Sequence, residues 1–119
     1  MPRPEPSPNP RPPQLNLVVL RGVLSSPPRR RDLPSGSAVT HLDVTVRTAD
    51  GVSTAPVVVH DAAPHVDALE GGDEVVVVGR VERRFFRAGG VTQSRTEVVA
   101  ERVARGTRQR AVDQAWRRV

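Results

Sequence analysis

The run Gly71–Val103, GGDEVVVVGRVERRFFRAGGVTQSRTEVVAERV, decides the fold. Two β-runs, Val75–Val81 and Thr96–Val103, flank a connection that carries both phenylalanines of the chain and several arginines. Four consecutive valines, Val75–Val78, are consistent with a strand buried on both faces. That strand is expected over Asp73–Arg84, and its partner over Thr96–Val103. The glycine-rich segment Arg87–Gln93 between them reads as a turn.

Upstream, Leu15–Leu24 (LNLVVLRGVL) is apolar on both faces for most of its length and predicts a first strand, with Gly22 marking a bulge or sharp coil. Ser25–Gly36 (SSPPRRRDLPSG) has the composition of a loop. Val39–Thr48 alternates: Leu42, Val44 and Val46 face one way, and His41, Asp43, Thr45 and Arg47 the other. Ala49-Asp50-Gly51 signals a tight hairpin, and Val52–His60 returns as a third strand with Pro56 at an edge or bulge. Asp61–Leu69 fits one short helix, with Asp61 as N-cap, Pro64 in the first turn and Gly71-Gly72 at its end. Three strands, a helix and two strands is the order of a five-stranded OB-fold barrel, an all-β fold.

The barrel is expected over residues 15–105. Residues 1–14 are expected to be a disordered, proline-rich tail of extended, polyproline-leaning character outside the core. Residues 106–119 form a basic segment with the spacing of a short C-terminal helix, in which Trp116 serves as a packing anchor.

At 119 residues the chain has room for one domain. It has no cysteine, which excludes disulfides and thiolate metal sites. No apolar run approaches the roughly 20 residues of a membrane span, and MPRPEPSPNPRPP lacks the apolar region of a secretory signal. The expectation is a cytoplasmic protein. The net charge is +5, and all 18 basic residues are arginine. Asp61–Glu74 is acidic, whereas from Arg80 onward arginines dominate. Such a one-ended surplus points to a polyanionic partner, nucleic acid above all.

Catalysis has no candidate residues. His41, His60 and His65 lack metal-ligand spacing, no serine sits in a nucleophile-elbow setting, and the glycine pairs do not open a helix in a phosphate-binding pattern. No cofactor is expected, and the chain reads as a binding module. Phe85 and Phe86 lie between Arg84 and Arg87. Exposed aromatics stack on the π-faces of single-stranded bases, and flanking arginines neutralise phosphates. Adjacent strand residues point to opposite sides, so one phenylalanine is expected on each face.

These residues resemble the bacterial single-stranded DNA-binding protein family, from about Asn16 to Val103. Asn16–Gly22 (NLVVLRG) is similar to its opening strand, and Arg31–Val39 (RDLPSGSAV) to its Arg-x-x-Pro-x-Gly-x-Ala-Val turn into strand two. Leu69–Val75 with Val78–Glu82 resembles the segment leaving its helix, and Thr96–Glu101 (TEVVAE) the ending of its last strand. The resemblance implies single-stranded DNA as partner, assembly as a homo-oligomer (dimer or tetramer) through strand one, work in replication, recombination or repair, and association with the nucleoid and with replication or repair proteins.

Departures from the family pattern are specific. Its stacking aromatics correspond here to Thr48, Thr54 and His60, and only the strand-four aromatic is kept, as Phe86 with Phe85 beside it. The chain ends Trp116-Arg117-Arg118-Val119, without the family's acidic tip, so it looks like a divergent or primosomal-type member. The expected DNA surface is therefore Arg47, His60, Arg80, Arg84, Phe85, Phe86, Arg87 and Arg95, with arginine electrostatics carrying more of the affinity. The alternative is an OB-fold adaptor whose basic face binds an acidic protein partner.

Overall fold

The computed structural model describes residues 11–106; the expected C-terminal helix with Trp116, and most of the proline-rich tail, lie outside the described residues. Six strands and one helix follow in the order β1 (Val18–Leu24), β2 (Arg29–Asp32), β3 (Ala38–Thr48), β4 (Gly51–His60), α1 (Pro64–Asp67), β5 (Glu74–Ala88) and β6 (Val91–Arg105).

β1 pairs antiparallel with β5 along Val18–Val23 and with β3 at Val23 and Leu24, and β4 pairs parallel with β6 at Val57↔Val98 and Val58↔Val99. With the β3–β4 and β5–β6 hairpins, these pairings close a five-stranded barrel, β1-β3-β4-β6-β5, to which β2 is added at the outer edge of β3. This is the OB-fold.

The alternation of β3 is realised as read: Thr40, Leu42 and Val44 are buried, while His41, Asp43 and Thr45 are partly covered on the other face. Leu24, Leu42, Val44, Val57, Val59, Val75, Val77, Val98 and Val103 fill the barrel, and Val66 and Leu69 close one end. Val75–Val78 are all buried, between β1 and β6. Val75 and Val77 belong to the core cluster, and Val76 and Val78 take the opposite face.

A register shift between Val78 and Gly79 leaves Glu101 unopposed, since Val78 pairs Arg102 and Gly79 pairs Ala100. The bulge re-phases β6, so that Val98 and Val103, of opposite parity, both reach the core. Gly79 is required there. A Cβ on it would run into the Val99 carbonyl oxygen and stand 2.9 Å from Ala100 Cα.

Four expectations are corrected. β1 begins at Val18, and Leu15 is exposed. The Ser25–Gly36 segment is not all loop: Arg29–Asp32 pairs with Ala38–His41 as β2. The helix is a single turn with Ala63 at the N-cap and no side-chain cap. Asp61 instead sits at φ 46 and ties β3 down, because its carboxylate accepts from Ala38 N–H at 2.9 Å and its own N–H donates to Ala38 O at 2.8 Å. Most consequentially, Arg87–Gln93 is not an open turn. β5 and β6 run on as a hairpin whose turn is only Gly89-Gly90, with φ of 60 and 78. Two successive left-handed residues give the tight turn that matches strand twist, which glycine alone adopts freely.

Candidate nucleic-acid interface

Because β4 and β6 are parallel and joined only at Val57↔Val98 and Val58↔Val99, the β3–β4 turn and the β5–β6 turn project from the same end of the barrel. At about 3.3 Å per residue each ribbon extends roughly 20 Å beyond that junction. Two fingers thus frame an open groove.

Register assigns the side chains of the β5–β6 finger. Val98 is in the core, so Glu97, Arg95 and Gln93 take the outer face of β6. Their cross-strand partners Glu82, Arg84 and Phe86 share that face, as does Arg80 opposite Val99. The reverse face carries Val81, Arg83, Phe85 and Arg87. One phenylalanine therefore lies on each side, and neither closes the barrel: Phe85 is 66% and Phe86 37% exposed. Arg84 lies over the Phe86 ring at 5.7 Å from the centroid, and Arg83 over Phe85 at 5.9 Å.

The predicted residues fall into three groups. Arg84, Phe86 and Arg95 come together on the outer face of the finger, with Arg47 on the same face of the β3–β4 finger opposite Val52. Arg80 shares the outer face nearer the barrel and stands 3.5 Å from Glu82. Arg87 is on the reverse side, where its Nη2 donates to Gly90 O at 2.9 Å. His60 is apart from both, at the far end of β4. It lines a cleft of ≈ 490 Å³ between the helix and β6, with Asp61, His65, Glu101 and Val103. There His65 donates from Nε2 to the Val103 carbonyl oxygen at 3.0 Å.

Two further residues of the outer face, Glu97 and His41, were not among the expected site residues. Glu97 is only 6% exposed. Its Oε1 is 3.7 Å from Arg84 Nε, and its Oε2 is buried with no hydrogen-bond partner. His41 lies nearby, and burial pushes its imidazole below the usual histidine range; the charge of Glu97 opposes that shift, while Arg29, Arg95 and Arg84 add to it. Arg29 itself is fixed by Asp43 Oδ2 at 2.9 Å and by Ser26 Oγ at 3.1 Å. Glu97 was visible only as part of the Thr-Glu-Val-Val ending. Its burial depends on what the folded sheet sets around it, which no local pattern records.

Among the described residues, no three His, Cys, Asp or Glu gather to hold a metal ion, and no helix is long and apolar enough to cross a membrane.

The fold is similar to that of the single-stranded DNA binding protein from Thermus aquaticus, with a TM-score of 0.65 and 30% sequence identity, covering 79% of this chain and 41% of that one. The barrel is thus of the same kind as in that DNA-binding protein, and the chain spans less than half of its length. No family model and no curated protein matches the chain.

Proposed function

We propose that this chain binds single-stranded DNA without catalysis, in the groove between its two hairpin fingers. The observation that carries the reading is the gathering of Arg84, Phe86 and Arg95 on one face of the β5–β6 finger. An aromatic ring with one face under a guanidinium leaves its other face for a base, and Arg95 and Arg47 have no ion-pair partner among the described residues. The likeness to a single-stranded DNA-binding barrel supports the same ligand.

Arginines neutralise phosphates along the groove, and bases stack on Phe86. Phe85 and Arg87 engage strand that wraps the finger tip, and His60 serves a base that reaches the far end of β4. As in the resembled family, the chain works as a homo-oligomer in replication, recombination or repair at the nucleoid, assembling through β1, where Val23 is exposed.

A titration of labelled oligothymidylate tests the reading. Binding is expected to weaken steeply between about 50 and about 200 mM salt, with a log–log slope of about −0.7 per phosphate contact. Duplex DNA of the same length is expected to bind more weakly. Absence of binding to oligothymidylate at low salt sinks the proposal. The exposed Thr48 and Thr54, where the resembled family stacks aromatics, favour a second reading as a protein-binding adaptor, and that outcome of the titration would select it.

A further inference from the structure

The outer face of the β5–β6 finger holds a group that phosphate recognition does not use. We propose that Glu97 reads guanine, accepting hydrogen bonds from the N1–H and the 2-amino group of a base laid on that face. The inference rests on the single-stranded DNA reading above and adds a base preference to it.

Glu97 sits within the arginine face, beside Arg95 along β6 and opposite Glu82 on β5. A carboxylate there repels phosphate, so its role concerns a ligand's donors or the arginines themselves. The arginines do not satisfy it. Arg84 Nε approaches Oε1 only to 3.7 Å, beyond hydrogen-bond reach, and Oε2 has no partner. Nor does His41 offset the charge, since burial favours its neutral form. A carboxylate that is nine-tenths covered and lacks donors is costly, and a ligand that brings donors recovers that cost.

Arg84 is half exposed and is the nearest cation to the carboxylate. When a phosphate draws this long side chain away, Glu97 loses no hydrogen bond, and its charge is left without its nearest cation. What replaces Arg84 must present N–H groups without negative charge. Base edges do so, and they differ. Guanine alone sets two donors side by side, matching the fork of a carboxylate. Thymine places its single N3–H between two carbonyls, and cytosine and adenine place one amino group beside a ring-nitrogen acceptor. Glu97 lies four residues along β6 from Gln93, the partner of Phe86. That is about 13 Å, so the base it reads is not the one stacked on Phe86.

The test compares three labelled oligonucleotides with the full chain at one salt concentration: oligothymidylate, the same with one central deoxyguanosine, and the same with deoxyinosine in its place. Inosine keeps the ring system and N1–H but lacks the 2-amino group, so stacking is held nearly constant. The guanine oligomer is expected to bind about fivefold tighter or more than the inosine oligomer, in the range of a good bidentate base contact. In Glu97→Gln that ratio is expected to fall below about twofold, because the amide nitrogen confronts a guanine donor. Equal binding of the three oligomers by the wild-type chain overturns the inference while leaving single-stranded DNA binding intact. Failure to bind any of them at low salt overturns both. The guanine–inosine comparison needs no protein variant, so it decides even if Glu97→Gln unfolds.

Discussion

The guanidinium of Arg84 lies 5.7 Å from the centroid of the Phe86 ring, on the face of β5 that continues the outer wall of the barrel. The pair presents a flat, positively charged platform, with the ring only partly exposed. Phe86→Ala is expected to weaken oligothymidylate binding by about 1–3 kcal/mol, the range for one stacked base. Its thermal unfolding is expected to stay near wild type, because no core residue rests on the ring. Phe85→Ala, on the reverse face, is expected to cost less. Anisotropy titration paired with a melting curve reads both.

Arginines differ in what they have to give. Arg84→Ala and Arg95→Ala are each expected to reduce the salt slope of single-strand binding by about 0.7, one phosphate contact. Arg87 is committed to Gly90 O and faces away, so Arg87→Ala is expected to change the slope less. Equal slope changes for all three would mean that Arg87 leaves Gly90 O and contacts phosphate as fully as the outer-face arginines do.

Gly79→Ala tests the bulge. The new methyl meets β6 backbone, the Val99 carbonyl and Ala100 Cα, rather than a side chain that can swing aside. Strain of this kind costs roughly 1–3 kcal/mol or more, and denaturant unfolding is expected to show at least that loss. Gly90→Ala, with its methyl in open space but φ at 78, is expected to cost only about 1 kcal/mol of backbone strain.

A polar strut holds α1 against the barrel. Thr40, fully buried, donates from Oγ1 to Asp67 Oδ1 at 2.7 Å, and Arg30 Nη1 donates to Asp67 Oδ2 at 2.7 Å. Asp67→Ala leaves the Thr40 hydroxyl buried without its acceptor, and the expected loss is about 1–3 kcal/mol by chemical denaturation. Thr40→Val removes the donor and keeps the shape, so it is expected to cost less, the carboxylate retaining Arg30.

Stability is expected to fall with acidification in two stages. Burial lowers the His41 pKa from its ordinary 6.5. The unfolded chain therefore binds that proton first, and the folded state loses stability as pH falls below about 6.5 toward the depressed folded value. The hydrogen bond from Thr40, with that from Arg30, holds Asp67 below its ordinary 3.8, so its contribution is present above that value and lost at more acid pH. Melting temperatures recorded between about pH 8 and about pH 5 are expected to decline in wild type. In His41→Gln the decline is expected to be shallower. An unchanged slope in that variant would assign the decline to other groups.

The chain by itself determined the barrel. Alternation in Val39–Thr48, the four valines of β5 and the Ala49-Asp50-Gly51 hairpin are local signals, and strand order follows once five strands and one helix are placed. Local chemistry misled where tertiary pairing overrode it. Arg29–Asp32 has loop composition yet finds the open edge of β3. Asp61 has N-cap chemistry yet bonds to Ala38. Arg87–Gln93 looks like a loop because Gly89 and Gly90 stand at its centre and the exposed finger around them carries no apolar stripe to mark it as strand.

For the site, Arg84, Phe86 and Arg95 were legible as residue types, but their gathering was not. Which of two adjacent phenylalanines joins them depends on cross-strand register, and that register is set by a bulge opposite Gly79, within the barrel, well before the finger begins. Glu97 shows the same limit more sharply. A glutamate among arginines reads as a solvated surface charge, and only the folded sheet buries it without a donor. Residue type and spacing fix what a side chain can do; the closure of the sheet decides what stands beside it, and for this groove that decides the chemistry.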